Sequence, residues 1–191
     1  MDSKLVDYVN DHIPYRMQAI DGLRWACEII KNKQRTEFVQ LLIDGNVAAS
    51  SNSYRFVTNP MVEVGSIYCR VLLEFLGIGL NNKRDELKEK THESMKSDDI
   101  TITSFGLQRL TINQVVDIPI SSPDELRQAY IYTILTADKA VAHLTFGPNL
   151  PQNINILSIC SKAVPYLICK YLYEELGLHE PKYKLIKERE L

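Results

Sequence analysis

The sequence predicts an all-α fold, an irregular helical bundle of about five long helices plus two or three short ones. Apolar residues recur at helical spacing through most of the chain. Gly and Pro number 8 each among 191 residues, which is below average usage and disfavours a turn-rich β fold. Cap residues and prolines stand where helices are expected to begin. A chain of this length can build one core, so we expect a single helical domain over residues 1–191.

The first half of the chain predicts four helices. A short helix is expected over residues 3–12, a second begins at Pro14, and a third spans roughly 36–47. The fourth lies between Pro60 in its first turn and Gly77 as its left-handed stop. Its apolar residues point almost all the way round, so we expect this helix to be central and buried.

The second half opens with a charged excursion at 81–99, in which eleven of nineteen residues are charged. We expect it to be a solvated helix and loop. Thr111 to Gln114 forms a capping box for a short helix, and Ser122 to Glu125 forms a stronger one for a long helix. The last long helix covers about 153–176 with Gly177 as its stop, and the charged tail at 179–191 is expected to be solvated.

Composition limits the partners and the location. The formal net charge is -2 and the pI is near 6.1, which gives no overall argument for nucleic-acid binding. No apolar run approaches the roughly 20 residues that cross a bilayer, and the N-terminus has no signal pattern. We therefore expect a cytoplasmic protein with no membrane partner. The four cysteines form no Cys-x-x-Cys pair and are expected to be buried thiols: Cys27, Cys69, Cys160 and Cys169.

The usual catalytic signatures are absent from the sequence. There is no glycine-rich dinucleotide or phosphate loop, no His-Glu-x-x-His and no Gly-x-Ser-x-Gly. The four histidines are too scattered to predict a metal site. We therefore expect no cofactor, no metal and no catalytic residue, and the sequence favours a non-enzymatic role without excluding an enzyme.

One line of charged residues runs along the fourth predicted helix. Glu63, Arg70 and Glu74 have the spacing i, i+7, i+11, which stacks them within about 20° of one line. Glu74 stands near the helix C-terminus, where the helix dipole disfavours a carboxylate, so a tertiary partner is expected. We predict that the three line a polar cleft, opposite Lys139 and His143 on the helix over 123–146. The alternative is a solvated strip or a structural ion-pair network.

The stretch Lys139-Ala140-Val141-Ala142-His143-Leu144-Thr145 resembles helix ends of HEPN-type proteins. These are small helical bundles, several of which cleave RNA or bind nucleotides. The resemblance implies a general acid or base role for His143. The catalytic signature of the family also needs an Arg upstream of the His, and the corresponding positions here hold Thr136, Ala137 and Asp138, with Lys139 as the nearest cation.

Three functions are consistent with these observations. The favoured one is a non-enzymatic module for protein interaction or self-association. The second is a HEPN-like protein that binds or cleaves RNA or nucleotides. The third is a small-ligand binder or enzyme that uses the cleft of Glu63, Arg70 and Glu74.

Overall fold

The structure, a computed structural model, describes residues 3–32, 38–91, 99–142 and 153–185. The α-helices in these ranges are α1 (Ser3–Asp7), α2 (Ile13–Asn32), α3 (Arg55–Leu76), α4 (Ile112–Val116), α5 (Pro123–Ala142) and α6 (Ile154–Ile168). The strands are β1 (Val39–Ile43), β2 (Asn46–Ser51), β3 (Ile78–Leu80) and β4 (Leu87–Glu89). They form two separate antiparallel hairpins, β1–β2 and β3–β4. The described chain is thus mostly helical, and the predicted all-α class is wrong in its exclusion of strands.

The four long helices build the core. Helix α3 packs against α2, α5 and α6, and α6 also packs against α2 and α5. The inner side of α3 is fully buried along its length, from Val62 to Leu76. Its outer side is open, since Val64 and Val71 are 40% and 37% exposed. Helix α3 is therefore central, as predicted, but it is not buried on every side, because three helices cover only part of its circumference.

Prolines and glycines shape the ends of the helices largely as predicted. A π-helical turn over Tyr8–His12 connects α1 to α2 immediately before Pro14, so the chain remains helical where a break was expected. Helix α3 begins five residues before Pro60, one turn earlier than predicted. Gly77 ends α3 with a φ of 96°, and Gly177 has a φ of 64° beyond the last helical turn. These values confirm both predicted helix stops.

The two predicted capping boxes are confirmed. The Thr111 hydroxyl accepts from Gln114 N–H at 3.3 Å, and the Gln114 side chain accepts from Thr111 N–H at 2.8 Å. The Ser122 hydroxyl accepts from Glu125 N–H at 3.4 Å, while the Glu125 carboxylate accepts from Ser122 N–H at 3.2 Å. Hydrogen bonds from Ser121 and Ser122 lower the pKa of Glu125. Both helices therefore begin where the sequence places them.

Two segments predicted as helix are strands in the structure. The described part of 36–47 is the β1–β2 hairpin, whose turn residues Asp44 and Gly45 have φ values of 50° and 77°. Left-handed values at both positions define a tight hairpin turn, which no helix can contain. The described part of 81–99 includes the loop and second strand of β3–β4, where Leu87 is buried. Residues 92–98 lie outside the described ranges.

The described part of the predicted solvated tail is largely exposed, but two of its residues contact the folded body. Tyr183 packs against the core, and Leu185 N–H donates to the carboxylate of Asp21 at 2.8 Å. Asp21 is only 4% exposed and also accepts from Arg24 at 2.8 Å. Residues 179–185 are therefore attached to α2. Residues 186–191 lie outside the described ranges.

Candidate functional site

The polar line on α3 extends onto two other elements. Five side chains form the charge cluster, namely Arg70 and Glu74 of α3, Arg84 and Lys90 from the β3–β4 segment, and Asp138 of α5. Its three cations and two carboxylates leave a formal charge of +1. The cluster therefore connects α3, α5 and the β3–β4 hairpin through ion pairs.

Arg70 is the centre of the charge cluster. Its Nε donates to Glu74 Oε1 at 3.3 Å, within the same helix. Its Nη1 donates to Oδ1 of Asp138, which stands on α5. One guanidinium thus satisfies two carboxylates and joins the two helices, in the forked geometry that favours Arg over Lys.

The β3–β4 segment supplies the remaining cations. Arg84 has a φ of 63°, in the left-handed region that few non-glycine residues adopt, and its guanidinium pairs with Oδ2 of Asp138. Lys90 Nζ lies 3.2 Å from Glu74 Oε1. The loop is closed by Asn81, whose side-chain amide donates to Asp85 at 2.8 Å. These contacts fix the hairpin against both helices.

The exposure of the charge cluster limits its energy. Its side chains range from 21% exposed at Asp138 to 49% exposed at Arg84. Ion pairs that are solvated to this extent contribute about 0–1 kcal/mol each. A depression of about 420 Å³ lies on the hairpin loop. Its lining residues include Asn81, Lys83 and Lys88, and none of them belongs to the charge cluster. The ion pairs of the charge cluster therefore connect α3, α5 and the β3–β4 hairpin to one another.

The structure brings together some of the predicted cleft residues. Arg70 and Glu74 meet, and α5 does supply the opposite side, through Asp138. Glu63 is half-buried and stands two helical turns from Arg70, about 10 Å along α3, so it is not part of the charge cluster. Lys139 follows Asp138 in α5, but its side chain and all of His143 lie outside the described residues. The cleft with these residues stays a prediction.

Three of the four cysteines are buried thiols, as predicted. Cys27, Cys69 and Cys160 are fully buried, and Cys69 and Cys160 interact with each other. Burial raises the pKa of Cys27 to about 12 and that of Cys69 well above its ordinary range. Cys169 is half-buried, and desolvation raises its pKa to about 12. A thiol with a raised pKa is protonated at neutral pH and is a poor nucleophile and a poor metal ligand.

A second candidate site is the apolar hairpin, which we define as residues 38–51. Its strands pair from Val39 opposite Ser51 to Ile43 opposite Asn46, around the Asp44-Gly45 turn. The register shifts by one residue between Leu41 and Leu42, which leaves Ala48 of β2 without a partner on β1. Strand β2 is thus bulged, whereas β1 runs without an extra residue.

The apolar hairpin exposes large hydrophobic side chains. The exposed fractions are 61% for Phe38, 43% for Leu41, 57% for Leu42, 58% for Ile43 and 54% for Val47. None of the buried core residues lies between 38 and 53. Because Leu41 and Leu42 are consecutive in a strand, they point to opposite faces, so both faces of the hairpin are open.

Sequence reasoning missed the apolar hairpin. The leucines at 41 and 42, with Phe38 before them, fit a helical spacing, which predicts a helix. The dipeptide Asp44-Gly45 between two apolar runs is the strongest short-range hairpin signal, and it was present in the sequence.

The described residues provide neither a membrane-spanning helix nor a metal site, and the chain matches no known protein family. No helix in the described ranges is long and apolar enough to span a bilayer. In the same part of the chain, no three His, Cys, Asp or Glu side chains are grouped to hold a metal ion. No protein-family model matches the chain, and neither a curated protein nor a solved structure matches it.

Proposed function

We propose that the chain is a non-enzymatic protein-interaction module whose contact element is the apolar hairpin. The observation that carries the proposal is the exposure of Phe38, Leu41, Leu42, Ile43 and Val47 outside the core. Scattered exposed apolar residues are ordinary on a protein surface. A contiguous group on one short element is instead typical of a contact site.

The architecture of the hairpin supports the same proposal. A two-stranded hairpin is at best marginally stable in water unless further strands or a helix pack against it. The apolar hairpin contributes nothing to the core, and no other element in the described ranges packs extensively against it. A partner that covers the faces of the hairpin or extends its edge would stabilise it.

The composition of the hairpin supports it further. Natural edge strands are protected against pairing by Lys, Pro or inward-pointing charges. Residues 38–53 contain one charged residue, Asp44, at the tip of the turn, and no proline. Neither edge therefore carries a protecting Lys or Pro, and β1 also has no bulge, as expected for an edge that pairs with a partner.

Photocrosslinking in the native cell tests the proposal. A benzophenone amino acid at position 42 is expected to give protein adducts, because Leu42 is 57% exposed on the contact element. The matched control is position 64, where Val64 is also apolar and 40% exposed but lies on α3. Adducts at 42 and none at 64 support the proposal. The absence of adducts at 42, or equal yields at both positions, contradicts it.

The two alternative functions stay predictions with their own tests. The HEPN-like alternative expects cleavage of single-stranded RNA that is lost in His143→Ala. The small-ligand alternative expects a nucleotide, metal or metabolite to raise the melting temperature, since a ligand at 100 times its Kd adds about 2.7 kcal/mol of stability. In that case Arg70→Met is expected to remove the shift.

A further inference from the structure

We propose that the partner of the apolar hairpin is a second copy of this chain, whose β1 pairs antiparallel with β1 of the first across a two-fold axis at Leu41. This inference rests on the proposed function, because it takes the hairpin as the contact element. Pairing two copies converts two lone hairpins into one four-stranded sheet, in the order β2–β1–β1–β2. Three or more strands with an apolar face are what a small sheet needs for independent stability.

Strand β1 is the edge that fits this pairing. It has the sequence Val-Gln-Leu-Leu-Ile and no extra residue, whereas β2 is bulged at Ala48 and is rich in Ala and Ser. A bulge twists a strand and interrupts its ladder, which disfavours pairing along that edge. The regular and more apolar edge is therefore β1.

The backbone of β1 sets the register. The residues that flank a two-residue turn form a hydrogen-bonded pair, which here is Ile43 with Asn46. Alternation along the ladder then directs the N–H and C=O groups of Gln40 and Leu42 away from β2. A two-fold axis at Leu41 places Gln40 of each copy opposite Leu42 of the other. Both outward-facing residues are thereby satisfied, and the five residues of β1 overlap completely.

Charge is compatible with two identical copies. The single charge of each hairpin is Asp44, at the turn. In this register the two Asp44 residues lie six residues apart along the strand direction, at opposite ends of the pair, which is a separation of about 20 Å. Like charges therefore do not meet, and the hairpin offers no charge pattern that would select a different partner.

The exposed area indicates a dimer of modest affinity. Five large side chains, each about half exposed, present on the order of 500 Å² per copy over the two faces of the hairpin together, a total within the range of the largest apolar patch of a monomer. A standard interface takes about 800 Å² from each partner, and the paired β1 backbones add to the apolar contribution. A Kd in the micromolar range is expected, at about -8 kcal/mol.

Sedimentation velocity of the purified full chain over a concentration series tests the inference. The wild-type chain is expected to change from monomer to dimer. Leu41→Lys and Leu41→Glu each place like charges face to face on the axis and are expected to weaken the dimer about tenfold or more. An equimolar mixture of the two is expected to restore a dimer, because the facing charges are then opposite. Gln40→Pro removes an outward N–H without removing an apolar side chain and is expected to weaken the dimer as well.

Val64→Lys is the matched control, since it changes an exposed apolar residue of α3 and should leave the dimer intact. Leu41 and Gln40 are outside the core, so the melting temperatures of the dilute variants should match the wild type. A wild-type chain that is monomeric at all concentrations overturns the inference, as does a dimer that Leu41→Lys leaves unchanged or that mixing fails to restore. If the purified chain is monomeric and position 42 crosslinks to a different protein in cells, the inference that the partner is a second copy is overturned. The proposed function would still hold in that case.

Discussion

Substitution of Gly65 probes the closest approach between α2 and α3. A Cβ atom at this position would lie 2.4 Å from Leu23 Cβ and 3.0 Å from the backbone oxygen of Ala19. Both neighbours are fixed parts of α2, so the helices must separate by about 1 Å to reach an ordinary contact of about 3.5 Å. Overpacking of a core on this scale costs about 3 kcal/mol.

Helix propensity opposes that cost. An Ala in place of a helical Gly gains about 1 kcal/mol. Gly65→Ala is therefore expected to reduce the free energy of unfolding by about 2 kcal/mol. Gly22→Ala is the matched control, because the nearest atom to its new Cβ is Met61 Cγ at an ordinary 3.9 Å. Its only effect should be the higher helix propensity of Ala, which stabilises the fold by about 1 kcal/mol.

Urea denaturation of the two variants measures the difference. The midpoints are expected to shift in opposite directions from the wild type, with an unchanged dependence on denaturant. If Gly65→Ala is as stable as Gly22→Ala, the helices do not approach as described and the reasoning about the core is refuted.

Three further predictions concern charges and thiols. Arg70→Met is expected to cost about 1 kcal/mol of unfolding free energy in low salt and less in high salt, because its ion pairs are partly solvated; a loss near 3 kcal/mol in chemical denaturation would show a buried network instead. Asp21→Ala is expected to cost about 2 kcal/mol and to remove the exchange protection of the Leu185 amide, since the buried carboxylate holds that N–H; unchanged protection would show that the C-terminal segment is held elsewhere. Burial raises the pKa of Cys27 from its ordinary value near 9 to about 12 and that of Tyr183 from about 10 to about 12. The folded state thus favours the protonated forms of both groups. Their contribution to stability should be constant below pH 9 and decline as the pH rises toward 12. A melting temperature that stays constant above pH 9 would contradict the burial of these groups.

Local signals in the sequence predicted the helices well. Ser122 with Glu125, and Thr111 with Gln114, place reciprocal hydrogen-bonding groups three residues apart, which serves a helix start and little else. Gly77 and Gly177 similarly identify helix stops because the left-handed backbone favours glycine. These features depend on neighbouring residues alone, so a single sequence contains the information.

The charge cluster could be predicted only in part. The position of Glu74 near a helix C-terminus indicated that a partner was needed, and Arg70 and Glu74 do lie together. The partners Asp138 and Arg84 lie 68 and 14 residues from Arg70 in the chain. No local pattern indicates which loop or helix the fold brings to α3, and in the sequence Asp138 is notable only as a position that lacks an Arg.

The prediction for the apolar hairpin failed for the opposite reason. Its signal was local, the Asp44-Gly45 dipeptide, but apolar spacing alone does not distinguish a short helix from a short strand. A turn that requires positive φ at two successive residues outweighs a partial helical period. Together with β3–β4, that segment changes the predicted fold class, and it supplies the surface on which the proposed function depends.

Amide hydrogen exchange of the dilute, purified full chain tests most directly whether the apolar hairpin is available to a partner. We expect the amides of Gln40 and Leu42 to exchange almost as fast as in an unfolded peptide, because no strand in the described ranges pairs with the outer edge of β1. The buried amides of Leu72 and Leu73 in α3 should exchange at rates set by global unfolding. Protection of Gln40 and Leu42 equal to that of α3 in the dilute monomer would contradict the proposal, since the hairpin would then belong to the core.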